Sequence, residues 1–254
     1  MLIILSPAKI QSFKHPATTL KFSIPHFMSE ASELVALMRE LSTHELSDLL
    51  ETNTKLTDLN IDRYFNWHLP FNLQNAKQAA FAFDGEVFRG LQANTLTEKE
   101  LEFAQQHLVI LSGLYGALKP LDLIQPYRLD VSSALKNKYG ENLYPYWQHK
   151  VSDYLVKLLL QTQSKVLINL ASAEYNKTLL LKNTGIRKID IEFFEYKHDA
   201  FKQIVIYTKK ARGSMARYLI KNQITNHEDV KGFSEGGYWY YPALSSENKF
   251  VFVR

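Results

Sequence analysis

The chain contains no cysteine. That absence excludes disulfides, a thiolate nucleophile, a peroxidatic thiol and any zinc or iron–sulfur centre held by cysteine. Eight histidines are present, but no two stand three or four residues apart, so no helical face offers paired imidazoles to a metal. None of the ten glycines is followed by lysine and no G-x-G-x-x-G occurs, which removes the Walker A loop and the dinucleotide fingerprint. We therefore expect neither a metal nor a cofactor. No apolar run approaches the roughly 20 residues a bilayer span needs, and "MLIILSPAK" lacks the hallmarks of a signal peptide. A cytoplasmic protein with no membrane partner is the expectation.

With 254 residues, 46% of them hydrophobic, the chain can bury a sizeable core. It shows no repeat, low-complexity tract or Gly/Ser-rich linker, so residues 1–254 read as a single domain. Leu2 to Leu5 reads as a strand. Residues 30 to 65 read as helices, with Ser42 and Glu45 forming a capping box and Asn60 a candidate cap for a third helix after a loop near 53–60. Further helices are expected over Thr97–Gln106 and Pro145–Leu160. Strands are expected at Leu108–Leu111, Lys165–Asn169, Lys188–Phe194, Gln203–Tyr207, Tyr238–Tyr241 and Phe250–Val253. This alternation indicates a mixed α/β fold with a partly parallel sheet flanked by helices.

Four of these strands end alike: "LIILS" before Lys9, "LVILS" before Lys119, "VLINLAS" before Glu174 and Lys177, and "IVIYT" before Lys209 and Lys210. Each is an apolar run, then a small hydroxyl residue, then a cation. The hydroxyls suit helix caps, most clearly Ser6 ahead of Pro7. Four such ends on one sheet edge would also make a binding edge, because open α/β sheets bind ligands beyond their strands' carboxyl ends.

Charge is distributed unevenly. Between Ala200 and His227 lie six basic residues and no acidic one, leaving 24 basic against 26 acidic residues elsewhere. The whole positive excess sits in that segment, as an electrostatic docking surface requires. If residues 209–222 form one helix, Ala211, Met215, Ala216, Leu219 and Ile220 share an apolar face, with Lys210, Arg217 and Lys221 opposite. Arg212 falls in the middle of the apolar face, where an unpaired guanidinium is costly. Gly213, inside a helix, costs about 1 kcal/mol against alanine. Two resolutions stand open: "KKARG" is a turn and the helix starts at Ser214, or Arg212 pairs with a buried carboxylate such as Glu174 or Asp122. "LSGLYGALKPLDLIQPYRLDV" (111–131) reads as a long irregular loop, and such loops are frequently functional. No established catalytic motif is present, although Glu174, Tyr175 and Lys177 could serve acid/base chemistry.

"SPAK", "AFDGEVFRGL" (82–91), the 111–131 loop, "INLASAEY" (168–175), "KKARGSMARYLI" (209–220) and the late "GF" and "GY" elements together resemble the YaaA family of bacterial peroxide-stress proteins over the full length. Lys119 stands where that family often has Arg, and Asp130–Val131 where Glu-Met is usual. The resemblance implies a cytosolic protein that limits iron-dependent peroxide damage and binds duplex and branched DNA, and the charge concentrated at 200–227 points to phosphate contacts without sequence specificity. It also implies an α/β fold with a basic cleft and a helix-hairpin-helix-like region near residues 30–67, mapping to about Leu46–Trp67. "KLTDLN" stands there in place of the usual glycine-bearing hairpin.

Two functions follow as expectations. The first is DNA binding through Lys209, Lys210, Arg212, Arg217 and Lys221. The second is an enzyme whose pocket, formed by Lys9, Arg128, Glu174, Lys177 and Arg212, takes a phosphate- or carboxylate-bearing small molecule. Direct iron binding has no support in the spacing of ligating residues, and no protein partner is indicated.

Overall fold

The computed structural model describes all 254 residues. Its helices are α1 (Met28–Glu40), α2 (Thr43–Leu50), α3 (Thr54–Asn66), α4 (Ala79–Ala82), α5 (Glu86–Leu91), α6 (Glu98–His107), α7 (Leu143–Gln161), α8 (Ala173–Asn176) and α9 (Val205–Lys221). The strands are β1 (Leu2–Leu5), β2 (Ile10–Gln11), β3 (Lys77–Gln78), β4 (Phe83–Asp84), β5 (Leu108–Ser112), β6 (Gly116–Leu118), β7 (Leu123–Ile124), β8 (Val166–Leu170), β9 (Arg187–Lys197), β10 (Ala200–Lys202), β11 (Trp239–Tyr240) and β12 (Lys249–Val253).

The main sheet runs β11-β12-β9-β8-β1-β5-β6, with β10 paired to β9. β12, β9, β8, β1 and β5 are mutually parallel, and β6 and β11 close the two edges antiparallel. Continuous apolar runs produce this arrangement: all of β1 and β5 is buried, as expected of strands covered on both faces. α6 and α9 touch each other and both touch β1, while α7 packs against β6. In β9 the apolar positions alternate instead, with Ile189, Ile191 and Phe193 buried and Asp190 and Glu192 half-buried between them. The fold is mixed α/β around one large hydrophobic core.

Local signals account for the helix starts. Ser42 and Glu45 close the capping box of α2, and Thr97 with Glu100 does the same for α6. Three expectations need correction. Asn53, not Asn60, caps α3: its Oδ1 accepts from the Leu56 amide at 3.0 Å, so the turn is only Glu51 to Asn53 and "KLTDLN" lies inside the helix. Asn60 is buried, and its side chain donates back to Leu56 O at 2.6 Å. Ser6 caps no helix. Its Oγ accepts from the Ser172 amide at 2.8 Å and so ties the ends of β1 and β8 together. Finally, 203–207 is not a strand, because α9 begins at Val205. No helix is long and apolar enough to cross a membrane.

Candidate functional site

Three of the four strand ends that share the hydroxyl-and-cation pattern are neighbours. β8, β1 and β5 lie side by side and parallel, with Leu5 level with both Leu170 and Ile110. Ser172, Ser6 and Ser112 therefore emerge on one carboxyl edge. Each hydroxyl is used internally: Ser6 and Ser172 join each other, and Ser112 Oγ lies 2.7 Å from Tyr127 Oη. In the fourth segment a helix begins at Val205, and Thr208 within it is buried.

The loop after Tyr127 runs across this edge and collects several of the predicted pocket residues. Lys9 pairs with Asp130 at 3.0 Å, and Glu174 accepts from Ser132 Oγ at 2.6 Å. Tyr175 is buried between them with an unpartnered hydroxyl. Burial first, and then the charge of Asp130, push its phenol well above the ordinary range. Lys177 leaves this group and stands 6.0 Å from the Tyr144 ring. Arg128 turns to the α2–α3 hairpin, 3.5 Å from Leu50 O, with its Nε buried and unpartnered. It is close enough to Arg63 that its charge, after burial, lowers the Arg63 pKa. The predicted five-residue pocket is thus spread over the loop 128–133, α8, the hairpin and α9.

α9 is one unbroken helix through "KKARG", so the turn at 209–213 does not occur. Its sheet-facing side is the expected one: Ala211, Met215, Ala216, Leu219 and Ile220 are buried. Gly213 is there because α5 crosses at that point; a Cβ on Gly213 would overlap the Val87 carbonyl. Lys209, Lys210 and Lys221 are exposed. Arg217 is not a free cation, since its Nη1 donates to Leu91 O (3.3 Å), Gln92 O (3.2 Å) and Thr95 Oγ1 (2.6 Å) at the end of α5. Arg212 pairs with neither suggested carboxylate: Glu174 binds Ser132, and Asp122 accepts from Ser23 Oγ and the Lys119 amide.

Beside the first half of α9, Glu86, Tyr207, Lys210, Glu235, Tyr238 and Arg254 border a cavity of about 290 Å³. The Arg254 guanidinium covers the Tyr207 ring at 4.7 Å, and Lys197 approaches the same ring at 5.8 Å. Under it lies Glu195, buried, which accepts from Arg254 Nε at 2.8 Å and from Tyr238 Oη at 2.5 Å. Burial and then this carboxylate push the Tyr238 phenol up. The Glu195 cluster is not among the sites expected from the sequence. Its signal was a carboxylate continuing the buried alternation Ile189, Ile191, Phe193. No group of three or more His, Asp or Glu side chains is placed to hold a metal ion.

A family model described as "Peroxide stress protein YaaA" matches residues 1–244. The chain belongs to the YaaA family of peroxide stress proteins. It is also 44% identical, over all of its 254 residues and 98% of the relative, to a UPF0246 protein of Polynucleobacter necessarius subsp. necessarius (strain STIR1). The family match spans both the 127–133 loop and α9.

Proposed function

We propose that this YaaA-family protein acts in the peroxide stress response by binding duplex or branched DNA without sequence preference, through phosphate contacts made by α9. The observation that carries this reading is the acid-free segment 200–227 presenting Lys209, Lys210 and Lys221, all exposed, along one unbroken helix. Lys202 on β10, also exposed, belongs to the same acid-free segment. Lysines on a helix act as point charges toward phosphates and carry no base information, so the binding is nonspecific and salt-dependent. Membership in a peroxide stress family supports the physiological setting. A Lys209→Ala/Lys210→Ala/Lys221→Ala protein tests the surface without touching Arg217, whose bonds hold α5. In salt-titrated binding to duplex and junction DNA, its log–log slope should be shallower by roughly 0.9 for each phosphate that the variant no longer neutralises. An unchanged slope and affinity would refute the reading.

A further inference from the structure

Arg212 stands on the side of α9 that carries Thr208, Met215, Ala216 and Leu219, all buried. It is the one charge in that stripe. Its Nε is enclosed and has no hydrogen-bond partner in the protein, and no carboxylate lies within 4.0 Å of the guanidinium. Burial draws its pKa down, and the only charge opposing that shift is Glu192 on β9. A largely buried guanidinium held like this destabilises the fold unless something else completes it.

The pair sits at a particular place in the sheet. Asp190 is the last β9 residue in register with β8, opposite Asn169, so Glu192 lies just past the carboxyl end of β8. β1 ends at the same level, where Ser6 meets Ser172. α9 touches β1, β8 and β9, which brings Arg212 to this edge from the helix layer. Ligands of open α/β sheets bind beyond these ends.

We propose that Arg212 and Glu192 form a binding site, at the carboxyl edge of β8 and β1, for a small molecule bearing an oxyanion and a hydroxyl or amino group. A phosphate or carboxylate takes two parallel N–H bonds from a guanidinium, which neutralises the charge and satisfies the orphaned edge. Glu192, half-buried and outside ion-pair distance of any cation, accepts from the donor group of the same ligand. The site is separate from the exposed lysines of the proposed DNA surface and does not depend on them.

Thermal unfolding of the full chain in inorganic phosphate or succinate, against sodium chloride of equal ionic strength, tests the site. With at least one of these anions at about tenfold excess over its Kd, the wild-type midpoint should rise by roughly 3–6 °C. Arg212→Met should raise the midpoint in chloride and abolish the oxyanion response, because it removes an uncompensated charge. Arg212→Lys, which keeps the charge but not the fork, should need at least about tenfold more anion. The Lys209/Lys210/Lys221 triple alanine protein should respond like wild type. The proposal fails if neither anion exceeds the chloride control, if Arg212→Met lowers the midpoint in chloride, or if it still responds. It fails equally if Arg212→Met makes the DNA salt slope shallower, since Arg212 would then belong to the DNA surface.

Discussion

Gly213 of α9 lies so close to Val87 of α5 that a Cβ on the glycine would overlap the Val87 carbonyl oxygen. The approach is reciprocal, because a Cβ on Gly90 would overlap the Lys210 carbonyl and stand 2.8 Å from the Ser214 amide. Two glycines therefore let two helix backbones meet where side chains would separate them. Gly213→Ala gains about 1 kcal/mol of helix propensity but forces α5 from α9, and overpacking of that kind costs about 1–3 kcal/mol or more. We expect a net loss near 2 kcal/mol, read as a fall of roughly 4–8 °C in the thermal midpoint by circular dichroism. A midpoint at or above wild type would mean that the crossing is looser than described.

Arg217 is a structural cation, unlike the exposed lysines Lys209, Lys210 and Lys221 of the same helix. Its three hydrogen bonds satisfy acceptors at the end of α5, where Gln92 adopts a left-handed conformation (φ 49°) and the helix can no longer satisfy its carbonyls itself. Hydrogen bonds to a charged donor are worth about 1.5–3 kcal/mol. Arg217→Ala should lose about 2 kcal/mol in urea unfolding, seen as a lower midpoint with an unchanged m-value. Arg217→Lys should recover only part of it, since one ammonium cannot span all three acceptors. Arg217→Lys should leave the DNA salt slope as it is.

The parts of this fold that were legible in the sequence are those set by local pattern. Apolar runs located β1, β5, β8 and β12, and capping chemistry located the start of α2. The helical wheel of 209–222 named the buried face of α9 correctly. Where propensity and tertiary context disagreed, context won. Ile204 to Tyr207 has strand-like composition, but α9 begins within it, and Val205 and Ile206 are exposed at 67% and 52%. The candidate pocket was less legible, because its pairings are long-range. Lys9 finds Asp130, and Glu174 finds Ser132, only through the path of an irregular loop that no periodicity specifies. Gly213 and Arg212 were both conspicuous, and each needed another element, α5 or β9, to be understood.

Glu195 and Arg254 make a buried pair in which the two partners are unequally enclosed. Glu195 is 4% exposed, whereas the Arg254 side chain is 30% exposed. Removing Arg254 leaves the carboxylate with Tyr238 as its side-chain donor. Breaking a fully buried pair costs about 3–5 kcal/mol, and the partial exposure here lowers the expected cost of Arg254→Ala to about 2–3 kcal/mol. Combining it with Glu195→Gln should restore part of that loss, because the charge left behind is gone. A double-mutant cycle in chemical denaturation reads the coupling directly. A coupling near zero would mean that solvent already replaces Arg254.

His107 gives the fold an acid sensitivity of determinable sign. Its Nδ1 donates to the Met1 carbonyl at 2.7 Å and its ring stacks on Phe103 at 4.2 Å. Burial pulls its pKa below the ordinary 6.5, more than the Met1 bond raises it. The folded state therefore binds fewer protons than the unfolded chain just below pH 6.5. This contribution is fully present above that value and is lost as pH falls through the folded-state pKa. Asp122 acts in the opposite sense, since burial raises its pKa and acid relieves a buried charge, so wild-type data alone mix the two. Comparison with His107→Gln, whose amide can still donate to Met1, isolates the imidazole. Between about pH 7 and pH 5 the variant's thermal midpoint should fall less steeply than that of wild type. Parallel curves would show that His107 titrates as it does in the unfolded chain.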